Sequence, residues 1–557
     1  MEKRTILAFV LSFLVLIFWS YFFSPRQDTP SVKEESVVEE KEGISGEKKS
    51  DARIPEPAPS QSFSQTDKSE EPVIADKEKE IIVDTPYYKA IFSSRNAAIK
   101  SFRLKKYRVT KDPESPLIEM VNLIEKDDDY FEATFKSMSA KKEDAIYKVN
   151  HDSISLKSGS SPAELIFSYT ASDGTSVDQI YRFYPNKYDI DLKINISNNS
   201  ASAIEGNICT YIRNRPLETR TGNYSFVGVA LLLDDNLEEI KPKKMKKEEK
   251  ALSGSIKWVA YENDYFIASV IPENNSVGSF NGKLMPSGTI QAEYITASMV
   301  LNAFEKTSSF FTLFIGPRDV DILRKTGKDL DKAINFGFFD IIAKPLHFAL
   351  RLFNRYINNY GVSIILITIL IKIIFWPLTH KSYKSMKEMQ KLQPLMAKIR
   401  EKHKNNKEQM NRELMSLYKT YKINPMGGCL PMVIQIPVFF ALFRILGSSI
   451  ELRQAPFILW ITDLSAPDRL FNFPFSIPLM APPYGIPVLT LLMGASMFIQ
   501  QKMTPTPGDP AQAKMMMLLP IVFTFMFINF PSGLVLYWLT NNILSIGQQY
   551  RIKKRPA

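Results

Sequence analysis

The feature that most constrains this chain is a near-continuous apolar run at residues 362–378, VSIILITILIKIIFWPL, which carries Lys372 close to its middle. Because a helix rises ~1.5 Å per residue, the run is just long enough to cross a hydrocarbon core ~30 Å thick. A lysine at the centre of such a helix costs roughly 2.5–3.5 kcal/mol on insertion scales. The run therefore predicts a transmembrane helix whose lysine faces water, a partner or a substrate. Snorkelling of the lysine towards the polar flank at Lys381 is the alternative.

Composition indicates a mixed membrane and soluble architecture. The chain has 557 residues, is 45% hydrophobic and carries a net charge of +11, which is too long for one domain and too charged for a simple bundle of spans. Its two cysteines, Cys209 and Cys429, fall in segments that we place in different environments. We therefore expect no disulfide framework and no cysteine metal site.

The N-terminus predicts a membrane anchor followed by a tether. Residues 6–23 are apolar, follow a basic start and end in a group of aromatic side chains, which is typical of a signal-anchor helix with a cytoplasmic N-terminus. A cleaved signal peptide is the alternative, but no small-x-small site follows Phe23. Residues 24–80 are rich in Glu, Lys, Ser and Pro, and this composition predicts disorder.

Residues 81–318 predict an antiparallel β-sandwich. Short alternating segments such as AELIFSYTA and YDIDLKINISN are separated by Asn, Gly, Pro and Ser turns, with no βαβ rhythm. Because the anchor carries the chain outward, this domain should lie outside the cytoplasm. We find no catalytic constellation in it, and we interpret the basic run KPKKMKKEEK as a solvated loop.

Residues 330–360 predict a helix in the membrane interface, and residues 361–380 a transmembrane helix. In the first, apolar residues recur at helical spacing while charged residues occupy other faces. The apolar positions are Leu346, Ala349, Leu350, Phe353 and Ile357.

Residues 381–424 predict a cytoplasmic helical hairpin, because lysine and arginine far outnumber acids there and two apolar stripes flank the polar turn HKNNKE. Such a basic hairpin could bind anionic lipid, RNA or only water, and charge alone does not choose among these. Its basic residues are Lys381, Lys384, Lys387, Lys391, Lys398, Arg400, Lys402, Lys404, Lys407, Arg412, Lys419 and Lys422.

Residues 425–550 predict four more spans, at 430–447, 487–501, 515–530 and 534–548, before a basic tail at 551–557. Six spans with both termini in the cytoplasm satisfy the charge of every loop.

Polar groups recur inside these spans, but no Asp or Glu does. Thr368 and Lys372 are one turn apart and share a face. A lysine without an intramembrane carboxylate predicts a hydrated cavity. The polar residues are Thr368, Gln435, Thr490, Ser496, Thr524, Thr540, Asn541, Asn542 and Ser545.

Several long motifs resemble the YidC/Oxa family of membrane-protein insertases. In the second half these are SIILITILIKIIFWPLTHKSYKSM, NPMGGCLPMVIQIPVFFALF, ELRQAPFILWITDLS and FPSGLVLYW, which occur in that order. WVAYENDYFIASVIP and FTLFIGPRD are similar to the large periplasmic domain of the family's Gram-negative form.

The resemblance implies a fold and a function. It implies an α-helical membrane protein with six transmembrane helices, namely an anchor and a five-helix core with a hydrophilic groove open to the cytoplasm and lipid, and a periplasmic antiparallel β-supersandwich. It also implies an insertase and chaperone of the bacterial inner membrane that acts on nascent proteins, alone or with the Sec translocon. The family's groove cation is usually arginine, and Lys372 fills that position here.

The resemblance further implies site residues and partners. We expect the hairpin and tail to recruit the ribosome and the signal-recognition-particle receptor, and we expect contacts with membrane lipids but no specific nucleic acid, cofactor or metal. The implied groove residues are Lys372, Thr368, Gln435, Thr524, Ser496 and Asn541. The implied recruitment residues are Lys384, Lys387, Lys391, Arg400, Lys402, Lys404, Lys407 and Arg412.

Two other function classes fit the residues poorly. An intramembrane enzyme would need a Ser/His, Asp/Asp or HExxH constellation, and the four histidines form none. A small-solute transporter, the alternative function, usually shows inverted repeats and interrupted helices, and we see no internal repeat.

Overall fold

The computed structural model describes residues 77–123, 129–137, 145–216, 226–246, 248–273, 277–421, 430–503 and 510–554. The predicted anchor and nearly all of the predicted tether lie outside these residues, as do Lys422 and Cys429. Everything below concerns the compact unit that begins at Glu78.

Strands dominate the first half of this unit, in agreement with the predicted sandwich. They are β1 (Glu80–Asp84), β2 (Tyr88–Ser93), β3 (Ala98–Arg108), β4 (Leu117–Glu119), β5 (Phe131–Ser137), β6 (Lys148–Val149), β7 (Ser153–Ser155), β8 (Ala163–Thr170), β9 (Thr175–Phe183), β10 (Asp189–Asn198), β11 (Ile204–Asn214), β12 (Gly228–Leu233), β13 (Asn236–Ile240), β14 (Lys250–Glu262), β15 (Phe266–Pro272), β16 (Val277–Leu284), β17 (Ile290–Thr296), β18 (Met299–Leu301) and β19 (Lys306–Pro317). Two short strands, β20 (Leu470–Phe473) and β21 (Tyr484–Ile486), follow much later in the chain.

The strands form two large sheets that share β14. One runs in the order β7–β1–β2–β3–β5–β11–β17–β16–β14, with β4 beside β3 and β18 beside β11. The other runs β6–β8–β9–β10–β19–β15–β14–β12–β13. Every pairing is antiparallel except β1 with β7. Strand β14 passes from one sheet to the other between Ser255 and Ile256.

Alternation along the strands creates the core between the sheets. In β10, Ile190, Leu192, Ile194 and Ile196 are buried while the intervening residues are partly exposed. Because successive side chains of a strand point to opposite faces, each such strand contributes one apolar row. Trp258 of β14 is a large, fully buried member of this core.

Helices form the second half of the unit. After the short helices α1 (Pro242–Met245) and α2 (Val320–Thr326) come α3 (Asp340–Ile357), α4 (Tyr360–Ile374), α5 (Trp376–Lys391), α6 (Gln393–Lys402), α7 (Lys407–Thr420), α8 (Leu430–Ser448), α9 (Val488–Met503), α10 (Pro510–Phe527) and α11 (Ser532–Lys554). Short 3-10 turns lie at Leu330–Ala333, Gly337–Phe339 and Ile450–Leu452.

The apolar run with Lys372 is divided between two helices, whereas the sequence predicted one helix over residues 361–380. Helix α4 ends at Ile374, α5 begins at Trp376, and their axes differ by 66°. The reason is Pro377, because a proline inside a continuous helix removes a hydrogen bond and clashes with the preceding turn. In the first turn of α5, its missing N–H costs no helical hydrogen bond. Among the described helices, only this bent pair taken together has the length and apolar composition of a membrane span, and no helix has them alone.

Helix α3 has two apolar faces. Leu350 is buried and Leu346 and Phe353 pack against the other helices, so the stripe from which the sequence predicted an interfacial helix faces the helical core. Ile341 and Phe348 lie on a second face and are 87% and 68% exposed. This exposed face fits the predicted location in a membrane interface, which stays a prediction.

Several contacts link the sandwich to the segments that follow it, and two arginines make short hydrogen bonds among them. Arg318, which follows β19, donates hydrogen bonds to the carbonyls of Asn263 (2.7 Å) and Ala333 (2.6 Å). Arg453, in the loop after α8, donates to the carbonyl of Arg108 at 2.7 Å. The sandwich is therefore held at its exit strand and at the end of β3.

A close approach of α9 and α10 depends on Gly494. A Cβ there would lie 2.1 Å from Thr524 Oγ1 and 3.2 Å from both Thr524 Cβ and Thr524 Cγ2, so the threonine side chain or the helices would have to move. By contrast, a Cβ at Gly547 of α11 would meet no atom within 4 Å.

These two glycines give a matched test of the packing. We expect Gly494→Ala to lower the free energy of unfolding by about 1–3 kcal/mol because it overpacks the contact. Gly547→Ala should raise it by up to ~1 kcal/mol because alanine favours the helix. Adding Thr524→Ala to Gly494→Ala should restore most of the loss. Thermal unfolding of the solubilised protein measures all three, and equal effects of the two glycine variants would contradict this packing.

Candidate functional site

Lys372 is buried and bound by neutral oxygens. Its side chain is 8% exposed, and its Nζ lies 2.6 Å from Ser545 Oγ and 3.3 Å from Asn541 Oδ1, both on α11. Ser545 Oγ in turn donates to the Asn541 carbonyl at 2.7 Å. Because the serine proton goes to that carbonyl, its oxygen is free to accept from the ammonium. The charge is therefore solvated by protein dipoles rather than by a carboxylate.

A small cavity lies beside this ammonium, between α4, α5, α8 and α11. It has about 300 Å³ of empty space, of which about 20 Å³ can be reached by the centre of a water molecule. This is enough for about one water, since a water needs ~10–15 Å³ by that measure. A small cavity therefore lies beside Lys372, and its hydration stays a prediction. Its lining residues are Ile371, Lys372, Phe375, Leu378, Thr379, Ile434, Gln435 and Asn541.

A second polar contact joins α5 to α11 on the hairpin side of the cavity. The hydroxyl of Thr379 and the side-chain amide of Gln548 form hydrogen bonds of 2.9 and 3.2 Å. Both side chains are buried. Thr379 adjoins the bend after α4, so this contact holds the bent segment against α11.

Three of the six predicted groove residues line the cavity, namely Lys372, Gln435 and Asn541. Gln435 Nε2 also donates to the Tyr537 hydroxyl at 3.0 Å.

The other three predicted groove residues lie away from it. Thr368 and Thr524 donate to carbonyls of their own helices, each at 2.7 Å. Ser496 does the same at 2.6 Å and accepts from Asn542 Nδ2 at 2.9 Å, which ties α9 to α11. In the structure these hydroxyls serve helix packing, and sharing a face with Lys372 does not bring Thr368 into the cavity.

Sequence reasoning left out Thr379, Ser545 and Gln548 as site residues. The signal that could have found two of them is the spacing of Asn541, Ser545 and Gln548, which places all three on one face of α11. Thr379 lies beyond the apolar run, and only the bend after Ile374 brings it to the cavity.

The loop between α8 and α9 is fastened to the turn between α10 and α11. Arg469 donates to the carbonyls of Pro483 (2.8 Å) and Ile528 (2.9 Å). Asp468 accepts from Trp460 Nε1 at 2.6 Å and from the Leu489 amide. Burial raises the pKa of the Asp468 carboxyl, and these hydrogen bonds oppose that rise. The loop thus packs over the ends of the helices opposite the hairpin.

The predicted recruitment residues form a mostly exposed basic surface. Lys384, Lys391, Lys402, Lys404 and Arg412 are exposed, and Lys387 and Arg400 are half-buried. The side chain of Lys407 lies outside the described residues.

Some of these cations pair locally. Arg412 lies 2.8 Å from Glu408 and Lys391 lies 3.3 Å from Glu388. Such exposed pairs contribute little stability, so the surface remains available to an anionic partner. Among the residues that the structure describes, no cluster of three or more His, Cys, Asp or Glu side chains could hold a metal ion.

Comparison with known proteins assigns both halves of the chain to families. Residues 80–349 match the family "YidC periplasmic domain", and residues 352–557 match "60Kd inner membrane protein". The chain is 39% identical to the membrane protein insertase YidC of Pelobacter propionicus and 41% identical to that of Geotalea daltonii, over 100% of this chain and 99% of each relative. A solved structure described as an active YidC insertase with its first transmembrane domain resolved is 20% identical, with a TM-score of 0.37 over 86% of this chain and 93% of that one.

The Thr379–Gln548 contact can be tested by a double-mutant cycle. Thr379→Val alone leaves the buried Gln548 amide without this partner, so it should lower the free energy of unfolding by about 1–3 kcal/mol. Gln548→Leu alone should cost less, because the Thr379 hydroxyl still donates to the Trp376 carbonyl at 3.1 Å. Replacing both should cost clearly less than the sum of the two, because neither variant group then lacks a partner. Thermal unfolding measures the cycle, and strictly additive losses would show that the two side chains do not interact.

Proposed function

The chain belongs to the YidC family of membrane protein insertases, and from that premise we propose how its helices insert a client into the inner membrane. A polar or acidic N-terminal segment of a nascent protein enters beside Lys372 from the cytoplasmic side, and the following apolar segment moves into lipid. The observation that carries this proposal is the buried ammonium of Lys372, which lies in a cavity among neutral oxygens.

The ammonium can attract an acidic segment because its charge is not neutralised locally. An ammonium has three donors, and among the described residues two of them go to Ser545 and Asn541. No carboxylate lines the described cavity. Coulomb attraction is stronger in a medium of reduced dielectric than in water, so a client carboxylate that reaches the cavity gains more than it would at the surface.

The energy for insertion comes from the client and the membrane. Polar groups within the helical core shorten the apolar barrier that the client's tail must cross. The membrane potential contributes ~2.3 kcal/mol per charge per 100 mV to an acidic tail that moves outward, and transfer of the apolar segment into lipid supplies the remainder. The sequence offers no ATP-binding motif for this work.

The client leaves the core along α8 and α10. Helix α10 has a broad apolar surface in which Leu518, Val522 and Phe525 are 55%, 55% and 57% exposed. On α8, Ile436 is 46% exposed. These side chains suit contact with an apolar client helix.

Recruitment falls to the basic hairpin and tail. Their exposed lysines and arginines suit acidic or ribosomal surfaces, which supports the ribosome and the signal-recognition-particle receptor as partners of the hairpin and tail. The Sec translocon is a separate proposed partner. The sandwich is the periplasmic domain of the family, as the match over residues 80–349 shows.

The proposed topology has six spans, with both termini and the hairpin in the cytoplasm. Reporters placed after residue 23, within residues 381–424 and after residue 557 should then read outside, inside and inside, because basic loops resist translocation. An outside reading from the hairpin would contradict the six-span arrangement.

Substitutions at Lys372 test the proposed role of its charge. Lys372→Arg should be tolerated, because arginine keeps the charge and has a similar reach. Lys372→Ala should impair clients with acidic or polar tails most, and Lys372→Glu should be worst for acidic tails because attraction becomes repulsion. The measurement is insertion of two clients that differ only in tail charge, in a strain depleted of the native protein.

Each variant's membrane level is the control for that assay. If Lys372→Ala inserts both clients as well as the unaltered protein does, the lysine is merely tolerated in its helix. Equal loss for both clients at normal protein level would show that Lys372 supports the core without acting on the tail.

A further inference from the structure

An uncharged apolar β-hairpin lies in the loop after α8, next to the N-terminal end of α9. Strands β20 and β21 form it, and residues 470–501 contain no Asp, Glu, Lys, Arg or His. Phe471, Phe475 and Leu479 of this β-hairpin are 66%, 59% and 78% exposed. Single exposed apolar residues are ordinary, but several in one uncharged element indicate an interaction site.

The backbone holds two of these side chains in an uncommon conformation. Phe471 and Leu479 have φ angles of 60° and 65°, in the left-handed region that bulky residues rarely adopt. Such strain usually persists where it serves a function. The exposure of these side chains is therefore built into the β-hairpin.

The tip of the β-hairpin, residues 474–483, needs little water for its backbone. Its sequence PFSIPLMAPP contains four prolines, which have no N–H to satisfy. The Ala481 amide donates to Asn529 Oδ1 at 2.8 Å, and Asn529 Nδ2 donates to the Leu479 carbonyl at 2.9 Å. Because unsatisfied backbone groups are costly in an apolar medium, these features suit a tip that leaves water.

The β-hairpin adjoins the ends of two helices that the proposed topology places in the membrane. Helix α9 begins at Val488, directly after β21 and Pro487, and Asn529 follows the end of α10 at Phe527. The 16 residues of α9 make a helix ~24 Å long, which is shorter than a hydrocarbon core of ~30 Å. An apolar element at the N-terminal end of α9 therefore fits the remaining thickness on the outer side.

We propose that the tip of this β-hairpin inserts into the outer leaflet, at the boundary between headgroups and acyl chains, with Phe475 and Leu479 in contact with lipid. Interfacial elements bury their apolar side chains ~5–10 Å into this boundary. A deeper position is unfavourable, because the open edges of a two-stranded sheet carry unpaired backbone groups. The choice of leaflet rests on the proposed topology, but contact with lipid does not depend on insertion activity.

Fluorescence quenching in the full-length protein tests where the tip lies. A variant without native cysteines receives Phe475→Cys or Leu479→Cys, is labelled with an environment-sensitive dye and is reconstituted into lipid vesicles. The quenchers are iodide on both sides of the membrane and lipids that carry a nitroxide near the headgroup or near the end of an acyl chain. The matched control is Phe304→Cys with the same dye. Phe304 is 72% exposed and has a φ angle of 63°, but it lies in the turn between β18 and β19 of the sandwich.

We expect the dyes at residues 475 and 479 to be quenched several-fold more strongly by nitroxide near the headgroup than by nitroxide near the chain end. Iodide should quench them little. The dye at residue 304 should be quenched by iodide and by neither lipid, because its turn precedes β19, at the opposite end of that strand from Arg318.

Three results would overturn the proposal. Iodide quenching at residues 475 and 479 that equals the control would place the tip in water. Stronger quenching by nitroxide near the chain end would place it in the hydrocarbon rather than at the boundary. Shielding from both iodide and lipid would mean that protein covers the tip, either the predicted anchor at residues 6–23 or a second copy of the chain. Because the assay needs neither a client nor Lys372, failure of the proposed insertion mechanism would not change these readings.

Discussion

The helical core is organised around the ammonium of Lys372, which is buried away from bulk water. In the proposed topology a lysine at mid-membrane depth costs roughly 2.5–3.5 kcal/mol on insertion scales, and hydrogen bonds to Ser545 and Asn541 offset part of this cost for Lys372. Both partners are on α11, so the cost of the charge is offset only while α4 and α11 remain side by side. The adjoining cavity adds room for about one water. The charge of Lys372, the contact between α4 and α11 and the adjoining cavity therefore depend on one another.

The two sides of the cavity beside Lys372 are closed by different contacts. On one side, Arg469 joins the loop after α8 to the turn before α11, and Arg453 of the same loop contacts the sandwich. On the other side, the bend after Ile374 turns the chain by 66°, and the Thr379–Gln548 hydrogen bonds join α5 to α11 between the cavity and the hairpin. Opening that contact breaks the Thr379–Gln548 hydrogen bonds, whereas displacing the loop breaks those of Arg453, Asp468 and Arg469. This asymmetry supports client entry from the hairpin side.

Much of this could be predicted from the sequence, for physical reasons that differ between regions. The sandwich was predictable because the two-residue alternation of strands such as β10 directly reports which face is buried. The place of Lys372, Gln435 and Asn541 at the cavity was predictable, because a polar group inside an apolar membrane helix is costly and usually serves a function.

The remaining features depend on tertiary contacts. Thr368, Ser496 and Thr524 look the same as cavity residues in sequence, but their hydroxyls are satisfied by carbonyls of their own helices. The bend at Phe375 moves Thr379 beside Gln548, residues far apart in the chain, and the apolar run gives no sign of it except Pro377. The family match shows that the chain is a membrane protein insertase. The assignment of its groove residues is a prediction that only the geometry of the cavity supports.

The central claim is that the cavity beside Lys372 is reached by water from the cytoplasm and closed from outside. The most direct measurement uses a variant without native cysteines in which Gln435, a cavity residue, is replaced by cysteine and exposed to a membrane-impermeant thiol reagent from each side. We expect reaction from the cytoplasmic side only, and none from either side for a cysteine at the buried Ile445. Reaction of the Gln435→Cys variant from the periplasmic side would contradict the account.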